Sequence, residues 1–354
     1  MATKSSNNST IEDVAQAAGV SAMTVSRFLN GTGPVSVASA ERIQVAIDDL
    51  RYIPHQGARA LAGHKTHTIG FIVPQMNDVF YFQLVNGIQQ VVAENDYDLL
   101  LYSTVKPEGV DLLRLPLGKH NTDGLIVFTS TLDEQALRRL HETDFPLVLL
   151  YRSAPEGLEI PSIGIENLQG AYQMVEHLIG CGHLRIAFLA GAPTNEDARR
   201  REAGYRQALQ DQHIPFDAAL VAEADFNEQL AAEVVTGWLA SKVQIDAIFA
   251  ADDVSARGAI RAVHAAGLRV PEDMAVAGFD DALLSPYIDP PLTTVRAPIE
   301  EVGRSAARQL LRLIHGDAAD EVTLLPTELV IRESCGCRAA GLPVQAGQGP
   351  LLWR

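Results

Sequence analysis

The chain has 354 residues, enough for two or three domains with sizeable cores. Its 28 basic and 44 acidic side chains leave a net charge of −16, so charge by itself does not point to a nucleic-acid partner. No apolar run is long enough to cross a bilayer, Met1–Ser9 reads as a polar arm rather than a signal peptide, and three cysteines (Cys181, Cys335, Cys337) are too few for a disulfide framework.

Thr10 is a predicted N-cap, with Asp13 at capping-box spacing, for a helix carrying apolar Ile11, Val14 and Ala18 that breaks at Gly19. Ser21 caps a second short helix that runs to Asn30, and Gly31 lies just past its end. Val25, Phe28 and Leu29 share one face and should be buried. Ala22, Met23, Ser26 and Arg27 fall on the other side, toward the helix N-terminus. Helix, glycine turn and capped helix is the helix-turn-helix spacing, in which the second helix offers its first residues to base edges. A third helix, capped at Ser36, is predicted from Val37 to Leu50 with Ile43, Ile47 and Leu50 inward. Tyr52-Ile53-Pro54 halts it, and His55–Gly63 then offers one or two marginal helical turns, weakened by Gly57. Residues 1–65 hold six basic and five acidic side chains, a charge of +1, which leaves −17 on the remainder. The acidic body should be repelled by a phosphate backbone, leaving the near-neutral N-terminal segment to approach it.

From Thr68 short apolar strands alternate with helices. Predicted strands are Ile69–Pro74, Tyr97–Tyr102, Gly124–Phe128, Pro146–Leu150, Ile186–Ala190, Ala247–Ala250 and Ala275–Phe279. Helices are expected over Phe82–Ala93, Gly170–Gly180, Arg201–Gln212, Glu228–Ser241 and Ala256–Ala266. This alternation implies parallel, doubly wound sheets, and two series imply two lobes with a ligand cleft at the strand carboxyl ends. Cys335-Gly336-Cys337 lacks zinc-pair spacing, so all three cysteines read as reduced thiols and no metal or cofactor is expected.

The run Asp13-Val14-Ala15, Ala18-Gly19-Val20-Ser21, Thr24-Val25-Ser26-Arg27, Leu29-Asn30, Val35-Ser36, Tyr52-Ile53-Pro54 and Ala58-Arg59-Ala60-Leu61 resembles the headpiece of the LacI/GalR repressors. Farther on, Gly182-His183, Arg185-Ile186-Ala187, Gly204-Tyr205, Pro271-Glu272-Asp273, Gly278-Phe279-Asp280-Asp281 and Pro291-Leu292-Thr293-Thr294-Val295 are similar to the family's effector domain. The resemblance runs from Thr10 to about Arg338. The fold it implies is α/β: an all-α helix-turn-helix headpiece joined by a hinge helix to a two-lobed, periplasmic-binding-protein-like body of doubly wound parallel sheets.

The expected domains are the headpiece at 1–53, a hinge at 54–66, an effector and dimerisation domain at 67–338, and a flexible tail at 339–354. The N-lobe is expected at about 67–165 plus 296–322, and the C-lobe at about 166–295 plus 323–338. The tail has no leucine heptads, which in this family make tetramers, so a homodimer is the expectation.

On the DNA side Arg27 is the candidate for guanine O6 and N7, while apolar Ala22 and Met23 suit thymine methyls. Ser26 shares their face, and Thr10, Ser21, Thr24 and Asn30 are candidates for phosphate contacts. In the family the hinge folds on operator DNA, so Ala58 lies at the DNA and Leu61 matches a minor-groove wedge.

On the effector side Phe80, Tyr81 and Phe226 are candidate platforms for a ring. Arg201 matches the family's effector-binding arginine, and Asp252 and Asp280 follow strands as acceptors for hydroxyls. Tyr151 departs from the aspartate many members carry, and His183 reads as structural. The expectation is a cytoplasmic, homodimeric, sugar-responsive repressor reading a pseudo-palindromic double-stranded operator, with no catalytic residues and no membrane role. Its rivals are a solute-binding module without DNA function, a glycosidase built on Asp252 and Asp280, and a regulator worked by a protein co-effector.

Overall fold

A computed structural model describes residues 9–31, 33–53, 65–74, 76, 79–104, 115–129 and 131–337. The chain divides into two compact units, with the boundary between Thr66 and His67. Ala58 and Leu61, with the rest of the expected hinge helix and the 339–354 tail, lie outside the described residues.

The first unit is three helices: α1 (Ile11–Ala18), α2 (Ala22–Asn30) and α3 (Val37–Leu50). The predicted capping box is present, since the Thr10 amide donates to Asp13 Oδ2 at 2.8 Å and the Asp13 amide to Thr10 Oγ1 at 3.3 Å. Ser21 and Ser36 cap α2 and α3 through the Thr24 and Ser39 amides, and each such cap is worth about 1 kcal/mol. Gly19 takes φ 63°, the left-handed turn between α1 and α2 that a Cβ would strain. Val14, Ala15, Ala18, Val25, Ile43 and Ala46 form the core, with Phe28, Leu29, Ile47 and Leu50 half-buried against it.

The second unit holds two six-stranded sheets. The first contains β1 (Thr68–Pro74), β2 (Asp98–Thr104), β3 (Gly124–Phe128), β4 (Leu147–Leu150), β5 (Ser162–Ile165) and β11 (Val322–Leu325), in the order β11-β5-β4-β3-β1-β2. The second contains β6 (Ile186–Ala190), β7 (Val221–Glu223), β8 (Ala247–Ala250), β9 (Ala275–Asp280), β10 (Thr293–Arg296) and β12 (Glu328–Val330), in the order β12-β10-β9-β8-β6-β7. Pairing is parallel throughout except for β12 on β10. The inner strands β1, β3, β4, β6 and β8 are apolar and buried along nearly their whole length, as strands covered on both faces must be.

Helices α4 (Val79–Glu94), α5 (Glu134–His141) and α10 (Ile299–His315) accompany the first sheet; α6 (Asn167–Gly180), α7 (Glu196–Asp211), α8 (Glu228–Ala240) and α9 (Asp253–Ala265) accompany the second. Three expectations are revised. Strand β11 pairs with β5, so the chain re-enters the second lobe after Leu325 rather than at 323. Helix α7 starts at Glu196, not Arg201, because Asn195 accepts the Ala198 amide at 3.0 Å and caps it. Cys181 and Cys337 are bonded to each other, and only Cys335 stays a buried thiol. The spacing of Cys335 and Cys337 hid this pair, whose members lie 156 residues apart and meet only through the tertiary fold.

Both sheets reverse strand order at their first strand: β1 lies between β3 and β2, and β6 between β8 and β7. The crevice at the carboxyl ends of β1 and β6 is therefore where an open α/β sheet takes a ligand.

Candidate functional site

The exposed face of α2 carries Met23, 65% exposed, and Arg27 one turn later. Ala22 and Ser26 are half-buried beside them, and Val25 is fully inward. Met23 and Arg27 are thus the outermost side chains of this face. Thr10, Ser21 and Thr24 stand at the starts of α1 and α2, where their hydroxyls serve the caps; Ser21 Oγ and Thr24 Oγ1 lie 2.9 Å apart. Nothing is described for the Asn30 side chain.

In the second unit, the loops leaving β1, β3 and β4 build an aromatic wall. Phe80 and Tyr81, at the start of α4, meet Phe128 at the end of β3 and Tyr151 just past β4, with ring centroids 5.4–5.9 Å apart. Tyr151 is buried at φ 56°, and its hydroxyl has no hydrogen-bond partner among the described residues. Burial holds that hydroxyl well above its ordinary pKa, so it is a neutral donor.

The second sheet supplies the polar wall. Arg201, 4% exposed, donates from Nε to Asn167 Oδ1 at 2.7 Å, from Nη1 to the Ala251 carbonyl at 2.5 Å and from Nη2 to Asp280 Oδ1 at 3.0 Å. Its guanidinium also stacks on Phe279, 3.8 Å from the ring centroid. Asn167, at the start of α6, gives its amide to Asp197 Oδ1 at 2.7 Å. Burial raises Asp197 to about 7 against the pull of Arg201, with Glu196 and Asp280 adding to the rise. Burial likewise raises Asp252 to about 6, although its Oδ1 caps α9 by accepting the Ser255 amide at 2.9 Å. Behind Asp280, buried Asp253 accepts from Ser285 Oγ at 2.5 Å, Thr294 Oγ1 at 2.6 Å and the Ala282 amide at 2.8 Å, which fixes the loop that aims Asp280.

Phe226 follows β7 and closes over Gly191 at the end of β6, where any Cβ would strike its ring. Thr129, Tyr151, Asp225, Phe226, Asp280 and Asp281 all have positive φ, strain that gathers at the strand ends lining this cleft. Glu196 and Arg200 join the lobes across the cleft: Glu196 Oε2 accepts the Ser153 amide at 2.8 Å and Oε1 accepts Ser153 Oγ at 2.7 Å, while Arg200 Nη2 donates to Glu196 Oε1 at 2.6 Å and to Ser153 Oγ at 3.4 Å. Burial works against the Glu196 carboxylate, but these donors hold it below its ordinary pKa.

Phe80, Tyr81, Arg201, Phe226, Asp252 and Asp280 therefore all stand at the carboxyl ends of the sheets or on the helices that follow. Sequence reasoning missed Phe128, Asn167, Asp197 and the Ser153–Glu196 contact. Asp197 had a local signal, since it lies one turn before Arg201 on the same helix.

A model for bacterial regulatory proteins of the lacI family matches residues 10–55, and one for the periplasmic binding protein-like domain matches residues 175–335. The HTH-type transcriptional regulator CelR of Thermobifida fusca is 34% identical over 336 residues, 92% of this chain and 98% of CelR. This chain belongs to the LacI family. Within that family, catabolite control protein A of Priestia megaterium is 33% identical, over 92% of this chain and 99% of its own. Among solved LacI-family structures, a lac repressor dimer bound to operator and the anti-inducer ONPF superimposes with a TM-score of 0.77 at 31% identity, covering 93% of this chain and 99% of that one. A CelR–cellobiose complex does so with a TM-score of 0.70 at 32% identity, covering 92% and 99%. As a LacI-family member, the chain is a DNA-binding transcriptional regulator; its relatives are regulators, not enzymes. No helix among the described residues is long and apolar enough to cross a membrane.

Proposed function

We propose that this regulator is a cytoplasmic, homodimeric repressor whose operator affinity is set by a neutral polyhydroxylated effector, a sugar, held between the lobes. One observation carries the effector class: Arg201 is paired with Asp280 and linked through Asn167 to Asp197, while Asp252 lies within its electrostatic reach, so three acidic residues share one guanidinium. Three acidic groups sharing one cation give acceptors to hydroxyl groups and leave no free positive charge for phosphorylated or carboxylated ligands. The aromatic wall of Phe80, Tyr81, Phe128 and Tyr151 takes the apolar face of a sugar ring. The cellobiose complex of CelR supports the same class.

On DNA, Arg27 would read guanine, Met23 and Ala22 thymine methyls, and Thr10, Ser21, Thr24 and Asn30 would set register on phosphates. Two headpieces in a dimer would meet the half-sites of a pseudo-palindrome, with Ala58 and Leu61 entering the minor groove between them.

A thermal-shift screen of the full chain against neutral sugars, sugar phosphates, nucleobases and amino acids tests the effector class. A ligand at about 100 times its Kd adds about 2.7 kcal/mol of stability. Neutral sugars should raise Tm and their phosphates should not, and Asp280→Ala should lose the shift while keeping operator affinity. A shift with phosphorylated sugars alone would reverse the charge argument; silence across the panel would favour a protein co-effector.

A further inference from the structure

Away from the cleft, His177, Cys181 and Cys337 bring their ligand atoms within 4.8 Å of one another. We propose that, once the Cys181–Cys337 pair is reduced, these three residues form a binding site for zinc or a like borderline divalent cation.

The donor set is an imidazole and two sulfurs, the mixture that zinc prefers. His177 and Cys181 are four residues apart at the end of α6 and so share one helical face. His177 Nε2 lies 3.2 Å from Cys337 Sγ and 3.6 Å from Cys181 Sγ. A tetrahedral zinc with ordinary bond lengths needs nitrogen and sulfur about 3.5 Å apart, so both edges are close to set. The position adds to this, because the carbonyl end of a helix favours a cation. His177 and Cys181 are half-buried and Cys337 is 2% exposed, which leaves a solvent side for water as a fourth ligand.

Cys337 reaches this point by means other than sulfur chemistry. Ser334 Oγ donates to the Val276 carbonyl at 2.6 Å and accepts the Thr293 amide at 2.8 Å. His183 Nε2 is 3.0 Å from the Cys335 carbonyl oxygen, and Gly336, at φ 76°, turns the chain between the two cysteines. Reduction therefore leaves the three ligands side by side.

The sulfurs are bonded to each other in this structure, and disulfide and metal are alternative states of one site. A dithiol reductant passes two electrons and two protons to the sulfurs of Cys181 and Cys337 and becomes a disulfide itself. Zinc then takes the place of those two protons, which leave to solvent, and one sulfur swings away until the pair stand about 3.8 Å apart, the sulfur–sulfur edge of a zinc tetrahedron.

The test is cobalt(II) titration of the full chain after reduction with a phosphine and removal of oxygen. A thiolate-to-cobalt absorption band should saturate at one ion per chain and bleach when zinc is added. Cys181→Ser, Cys337→Ser and His177→Ala should each weaken binding at least about tenfold and leave operator affinity unchanged. In the wild type, zinc should slow alkylation of Cys181 and Cys337 but not of Cys335, a reading that needs no variant to fold. No thiolate band, undiminished binding in the variants, equal alkylation with and without zinc, or a pair that stays oxidised in excess reductant would each overturn the assignment.

Discussion

Arg27 and Arg201 put the same fork of donors to opposite uses. Arg27 is exposed on α2, so its donors can face a base edge, whereas Arg201 is buried and spends its fork on Asn167, Ala251 and Asp280. Arg27→Ala should cost ~1–3 kcal/mol of discrimination against the wrong base pair and leave Tm unchanged, as competition binding between operator and random duplex would read. In the cleft, Asp197 binds its proton up to about pH 7, well above its unfolded value, so folding stability falls as pH rises toward about 7. An effector hydroxyl that donates to Asp197 prefers the carboxylate, so effector affinity should fall as pH drops through about 7, with Asp252 adding a second loss near 6. Calorimetric titration across that range checks it, and Asp197→Asn should remove the upper step. The cap residues Thr10, Ser21 and Ser36 were legible because capping joins side chain and backbone three residues apart. Tyr151 was not, since the rings around it come from segments distant in sequence.

At the scale of elements, α7 brings Arg201 and Asp197 to the cleft only because it lies tight against α6, which starts with Asn167. Gly204 makes that approach: a Cβ there would collide with the Leu168 carbonyl and press on Ala171. Tyr205 fixes the helix from below, stacked on Phe188 at 5.1 Å and donating to the Ile186 carbonyl at 2.9 Å. Gly204→Ala should destabilise the body by ~1–3 kcal/mol in denaturant unfolding and weaken effector binding, while an isolated headpiece property such as sequence preference stays as it was. Inner strands such as β1, β4 and β6 were readable as unbroken apolar runs. Strands β5, β7, β11 and β12 were not, being three or four residues long with partners chosen by topology. Helix α10 was also missed, although its buried stripe of Ile299, Val302, Ala306, Ala307 and Leu310 repeats at helical spacing in the sequence. The bonding of Cys181 to Cys337 belongs with these, since two loops meet there that no local pattern connects.

For the whole molecule, the division between Thr66 and His67 separates a near-neutral headpiece that meets DNA from a body that carries all of the net negative charge. The body's two sheets each reverse order at their first strand, and Ser153, Glu196 and Arg200 link the lobes beside the cleft so formed. An effector that changes how the lobes close can alter operator binding only through a difference in its own affinity for the two states. That difference must appear equally from both sides. The most direct test is to measure effector affinity by calorimetry with and without operator, and operator affinity by fluorescence anisotropy with and without effector, using a duplex selected on the protein from random sequence. The account requires the two ratios to agree, and Arg201→Ala to keep operator affinity while bringing both ratios to one. Operator affinity that does not move at saturating effector, or ratios that disagree, would contradict it.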